Sequence, residues 1–160
     1  MKYLFISFVL FFTGQTFANK VDSNIEYSPW VKKKFVIISS TKNYDNALAV
    51  AKLASNKLKQ KLDLRGLTPD KKNGLTHAPK DCPPETHPCY FTRGRYDDGE
   101  HISIEYSNGF KEFAVGYYIV IIGSFFKAEN DIITKLLDKA KVHFPDVYAK
   151  DSEVYLGCMH

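Results

Sequence analysis

Phe35-Val36-Ile37-Ile38 and Ile119-Val120-Ile121-Ile122 are two apolar runs, and each leads into a helical pattern. Laying Ser39 on Gly123 superposes them at an offset of 84 residues (123 − 39), so the chain reads as two strand-turn-helix units, Phe35 to Leu62 and Tyr118 to Phe144. Short runs of β-branched residues on this scale are what buried strands give. After the first run, Ala47, Val50, Ala51, Ala54, Leu58 and Leu62 recur at helical spacing, with Lys52, Lys57, Lys59 and Lys61 mostly elsewhere on the surface. This predicts an amphipathic helix from about Tyr44 to near Asp63. After the second, Ile132, Ile133, Leu136, Leu137, Ala140 and Phe144 form an apolar stripe, Glu129 and Asp131 oppose the positive end of the helix, and Pro145 stops it.

The ends bound the domain. Met1-Lys2-Tyr3, the apolar run Leu4 to Phe12 and Thr16-Phe17-Ala18 form a secretory signal, too short and wrongly flanked for a stable membrane span. Residues 1–18 are therefore set apart from a single domain of 142 residues, 19–160 (160 − 18 = 142), and the destination expected is the periplasm or the medium of a bacterium. No cysteine stands at the cut to carry a lipid. Losing Lys2 takes the formal charge from +4 to +3, an excess too small and dispersed for nucleic-acid binding. Lys32-Lys33-Lys34 and Lys71-Lys72 read as the solvated ends of a strand and a loop.

Asn19 to Trp30 reads as a lead-in and Thr68 to Pro88 as an irregular insertion rich in proline and lysine. Cys82 and Cys89 bracket three prolines and are the candidates for a local disulfide, with Cys158 left over and a pairing through Cys158 still open. Beyond them, Tyr90 to Tyr96 and His101 to Tyr106 flank Asp97-Asp98-Gly99, a hairpin signal, and Asn108-Gly109 precedes Phe110 to Val115 as a second one. This predicts a β-meander within an insertion at about 68–116. Room for a final strand or strand pair remains at Asp146 to Lys150 and Glu153 to Cys158. The class is α+β, an antiparallel sheet of about four to six strands with two helices on one face.

Tyr118-Ile119-Val120-Ile121-Ile122-Gly123-Ser124-Phe125, followed by a helix, resembles the start of the sporulation-related repeat, the SPOR domain, whose pattern runs aromatic, any, Val, Gln, apolar, Gly, Ser, Phe. Gly123-Ser124-Phe125 matches in full and Ser39-Ser40-Thr41 in one position. The resemblance implies two repeats in ferredoxin-like βαββαβ order, a turn at Gly123-Ser124-Phe125, and binding of peptidoglycan glycan strands across the open sheet face. The departure is at the family's glutamine slot, which is Ile37 in one unit and Ile121 in the other. With both strand faces apolar, the insertion is expected to lie over the ancestral surface.

The aromatic and charged residues of the meander, Tyr90, Phe91, Arg93, Arg95, Tyr96, Tyr106, Phe110 and Phe113, could meet a glycan, and Phe91, Arg93, Arg95 and Tyr106 are the glycan-binding candidates, since aromatic faces stack on sugars and guanidinium groups grip carboxylates. Alternation places Phe91, Arg93 and Arg95 on one face, although aromatic residues favour strands in any protein. His77, Cys82, His87 and Cys89 match no trusted zinc spacing, and the prolines oppose a ligand knuckle. Asp97, Asp98 and Glu100 read as solvated turn formers, and Cys158-Met159-His160 as a chain end that holds no nucleophile in place. No metal, cofactor or catalytic residue is expected. The reading is an exported wall-binding protein; the alternative is an inhibitor-like or immunity-like protein that contacts an envelope protein without binding glycan.

Overall fold

The computed structural model describes residues 28–157. The signal at 1–18, most of the lead-in and Cys158 lie outside the described residues. The elements are β1 (Trp30–Thr41), α1 (Tyr44–Leu58), β2 (Thr68–Asp70), β3 (Gly74–Thr76), β4 (Ser103–Tyr106), β5 (Tyr118–Phe126), α2 (Asn130–Lys141) and β6 (Tyr148–Tyr155). Four of the strands form one sheet in the order β4-β5-β1-β6, every neighbouring pair antiparallel, and β2 and β3 form a separate small hairpin. The α+β class and the four-stranded antiparallel sheet follow the expectation. No helix among the described residues is long and apolar enough to cross a membrane.

The two repeated strands lie side by side at the centre of the sheet, and Ile37 pairs with Ile121, its counterpart at the 84-residue offset (37 + 84 = 121). Side-chain parity is also shared. Val36, Ile38, Val120 and Ile122 face both helices, meeting Ala47, Ala51, Ala54 and Leu58 of α1 and Ile133, Leu136 and Ala140 of α2. Phe35, Ile37, Ile119 and Ile121 take the other face. Each such side chain wholly withdrawn from water contributes roughly 1.5–3 kcal/mol, so both faces of the central pair hold the fold together.

Local chemistry sets the element ends. Asn43 caps α1 by accepting a hydrogen bond from the Asn46 amide at 2.9 Å, and Lys59 ends the helix in the left-handed region at φ +56°. The helix therefore stops short of Asp63. Leu62 instead forms a parallel bridge to Ile102, with the Asp63 amide donating to the Ile102 carbonyl at 2.8 Å. Strand β1 starts earlier than expected because its first half pairs with β6, from Trp30 opposite Tyr155 to Ile37 opposite Tyr148. The lysine cluster thus lies inside β1. Lys33 is 1 % exposed, its ammonium paired with Asp98 and seated over the Phe126 ring, so it is not a solvated strand end.

Gly123-Ser124-Phe125 is also inside a strand, not in a turn. Register shifts between Val36 and Ser39 turn Ser124 to the side of Phe35, while Phe125 packs on the helix side. Gly123 is required by proximity: a Cβ there would stand 2.5 Å from the Phe125 ring and 2.6 Å from Leu136 of α2.

The meander does not form. Residues 90–98 and 110–115 contain no strand, and β4 pairs with β5. In place of a strand ladder, the Arg93 guanidinium donates to the carbonyls of Gly99 (2.7 Å), His101 (2.8 Å) and Ile121 (3.2 Å). Cys82 and Cys89 are joined by a disulfide, which anchors the end of the irregular segment beside Thr76 of β3.

Candidate functional site

The sheet face bearing Ile37 and Ile121 is closed. Phe110 and Phe113, stacked at 4.7 Å, lie over Phe35 in edge-to-face contacts at 5.0 and 6.2 Å, and Ile37 and Ile121 are completely buried. The insertion covers this face with an apolar half over β1, β5 and β6 and a polar half over β4.

The polar half is built around Glu105. Along β4, Ile104 points to the helices, whereas Ser103 and Glu105 sit opposite Ile121 and Ile119 and share their covered face. The Glu105 carboxylate accepts from Arg65 Nη1 at 2.8 and 3.0 Å, from the Tyr90 hydroxyl at 2.7 Å and from the Arg93 amide at 3.3 Å. Arg65 reaches it from a left-handed backbone position at φ +57°, rare for a residue with a side chain. The Asp63 carboxylate holds that turn by accepting the Arg65 amide at 2.8 Å. Burial raises the Tyr90 hydroxyl well above its ordinary pKa, with the Glu105 charge adding to it. Burial lowers Arg93 to about 10, so it stays a cation at neutral pH.

Above this layer is a cleft of about 250 Å³ lined by Arg65, His77, Phe91, Arg95, Tyr96 and Asp97. Beside it a second depression of about 180 Å³ is lined by Trp30, Tyr90, Phe91, Thr92, Arg95, Gly109 and Tyr155. Phe91 and Arg95 belong to both, so the two form one groove. Its aromatic groups are accessible: Tyr96 is 76 % exposed, and Trp30 and Tyr155, 5.2 Å apart, are each about two-fifths exposed. The Arg95 guanidinium lies 5.8 Å from the Tyr96 ring and 5.6 Å from the Tyr155 ring. His77 packs against Phe91 at 5.4 Å, and burial, with the nearby Arg65 charge, lowers its pKa.

The four residues singled out from the sequence therefore separate. Phe91 and Arg95 line the groove. Arg93 is wholly buried beneath it, with Nη1 and Nη2 bonded to carbonyls, Ser103 and His101, and so cannot reach a ligand. Tyr106 shares the helix side with Ile104; its ring packs on Tyr118 at 5.2 Å and over Gly74. The shared face expected for Phe91, Arg93 and Arg95 fails because residues 90–96 are not a strand. Asp97 and Asp98 are not free turn formers: Asp97 pairs with Arg65 Nε at 2.7 Å, and Asp98 with Lys33 and the Ser124 hydroxyl. Sequence reasoning named Tyr96 among the aromatic candidates and weighed His77 only as a metal ligand; it missed Arg65, Trp30 and Tyr155, which come from three separate segments with no shared period.

Compared with protein-family models, curated proteins and solved structures, the chain matches none.

Proposed function

We propose that this is an exported bacterial binding protein on a SPOR-like frame, and that it contacts peptidoglycan glycan in the groove at Phe91 and Arg95. The β4-β5-β1-β6 order fits the ferredoxin-like arrangement that the resemblance implies. The disulfide fits an oxidising destination, which in this reading is the periplasm. One observation carries the functional reading: the family's usual face is closed by Phe110 and Phe113, while an open furrow around Arg95 is lined by aromatic rings of the covering segment together with Trp30 of β1 and Tyr155 of β6. Aromatic faces offer flat apolar surface to sugar rings, and arginine offers a planar fork of donors to their oxygens.

Sedimentation of the mature chain with purified peptidoglycan, before and after an amidase strips the peptides, tests this. Co-sedimentation that is lost in Tyr96→Ala and Arg95→Ala is expected. No co-sedimentation with either sample overturns it.

A second reading is a module that binds an envelope protein, as an inhibitor or immunity protein does. It is favoured by the groove's composition, since exposed Trp30, Tyr96 and Tyr155 with Arg95 are the residue types that carry most binding energy at protein interfaces. This reading requires a stoichiometric partner, captured from envelope extract, that survives glycan removal and is released by the same two substitutions.

A further inference from the structure

We infer that the cleft selects a sugar that carries a carboxylate, with Arg95 as the group that recognises it; this rests on the glycan reading and narrows it. The charges in the cleft are unevenly used. Arg65 has two acids to itself, Asp97 at its Nε and Glu105 at its Nη1. Both Asp97 oxygens are engaged, because the other one accepts the Gly94 amide at 2.8 Å. Arg95 has no carboxylate partner among the described residues. Its Nη2 donates to the Gly157 carbonyl, and its buried Nε has no partner.

The buried Nε2 of His77 is also unpartnered, on a ring fixed against Phe91. Unmade hydrogen bonds at buried polar atoms are costly and uncommon in folded proteins. Of the five such side-chain atoms among the described residues, two belong to residues that line one cleft, and one of these residues is the cation without a carboxylate partner. A carboxylate supplies the negative charge that Arg95 lacks and two acceptor oxygens for its planar fork. The remaining walls, Phe91 and Tyr96, are aromatic. The volume of about 250 Å³ is below the usual range of about 300–1,000 Å³ for pockets that engulf drug-sized ligands, which suits one sugar ring with the rest of a chain running along the groove.

The test uses tri-galacturonate, its methyl ester and chitotriose, titrated into the mature chain by calorimetry and amide chemical-shift mapping. The acid is expected to bind about tenfold or more tightly than the ester, the scale of one charge-assisted contact. Shifts should centre on His77, Phe91, Arg95 and Tyr96, and the preference should weaken with salt. Arg95→Gln removes the charge and the planar fork, so it should abolish the preference while leaving the amide spectrum elsewhere unchanged. If Arg95→Gln does not fold, the acid-to-ester ratio of the unaltered chain still decides. Equal binding of acid and ester, or a preference that survives in a folded Arg95→Gln, overturns the inference. Binding of chitotriose without the acid overturns it and leaves the glycan reading standing; binding of none of the three overturns the inference, and the glycan reading is then decided by sedimentation with peptidoglycan.

Discussion

At the residue scale, Glu105 shows how a buried charge is retained. Its carboxylate is completely buried and satisfied by Arg65, Tyr90 and the Arg93 amide. Removing one partner of such a pair costs more than forming it gained, because the remaining cation stays out of water. Glu105→Gln should therefore destabilise the protein by about 3–5 kcal/mol, read from urea unfolding; a loss below about 1 kcal/mol is what a surface ion pair gives and would contradict the burial. Gly123 is decided by space. In Gly123→Ala the new methyl meets Phe125 and Leu136, both in the core, and overpacking of this kind costs about 1–3 kcal/mol. Thermal unfolding should show a lower midpoint with an unchanged fold. Neither role is visible in the sequence. Ser103 and Glu105 alternate with Ile102 and Ile104 as a solvated strand face would, and only the guanidinium groups arriving from residues 65 and 93 make that face an interior.

At the element scale, the strand-helix units were legible because their apolar periods are long and both faces of β1 and β5 are buried. The elements between them were not. Tyr90 to Tyr96 carries the composition and turn signal of a hairpin strand, yet Arg93 binds three backbone carbonyls and Tyr90 takes the Tyr106 amide at 3.0 Å, so side chains do what a strand ladder would. Phe91 and Arg95 were found from residue type alone. The other walls of the groove required the tertiary fold, since Trp30 and Tyr155 meet only through the β1-β6 register. The disulfide was legible from prolines and spacing. It closes a loop with a separation of seven residues, for which loop-closure entropy gives about 2.5 kcal/mol. Replacing Cys82 and Cys89 with alanine should lower stability by about that amount in denaturant titration. A neutral effect would show that Asn73 and Thr76, which bond to Pro88 and Cys89, hold the segment unaided.

At the scale of the whole molecule, the insertion and the sheet share their interior and should unfold together. Lys33 of β1 pairs with Asp98, Arg93 bonds to Ile121 of β5, and Phe110 and Phe113 complete the core over Phe35. Trp30 fluorescence and far-ultraviolet circular dichroism should therefore give one coincident transition. That shared interior also sets the response to pH. His101 accepts from Arg93 Nη2 through Nδ1 at 3.2 Å, a contact that needs a neutral ring. Burial, then the Arg93 charge, lowers its pKa, opposed by Asp97 and Asp63; burial and Arg65 lower that of His77, opposed by Glu105 and Asp81. A group whose pKa is depressed on folding binds its proton more readily in the unfolded chain. Its contribution to stability is present above the unfolded value of 6.5 and is lost as pH falls through the folded value. Unfolding free energy should thus decline as pH is lowered from 7 toward 5, before Asp63, whose own pKa is depressed from 3.8 by Lys61 and the Arg65 amide, begins to titrate. Urea titrations across that interval should show a shallower decline in His101→Gln and shallower still when His77→Gln is added. Equal slopes in all three proteins would mean that neither imidazole is held neutral by the covering segment.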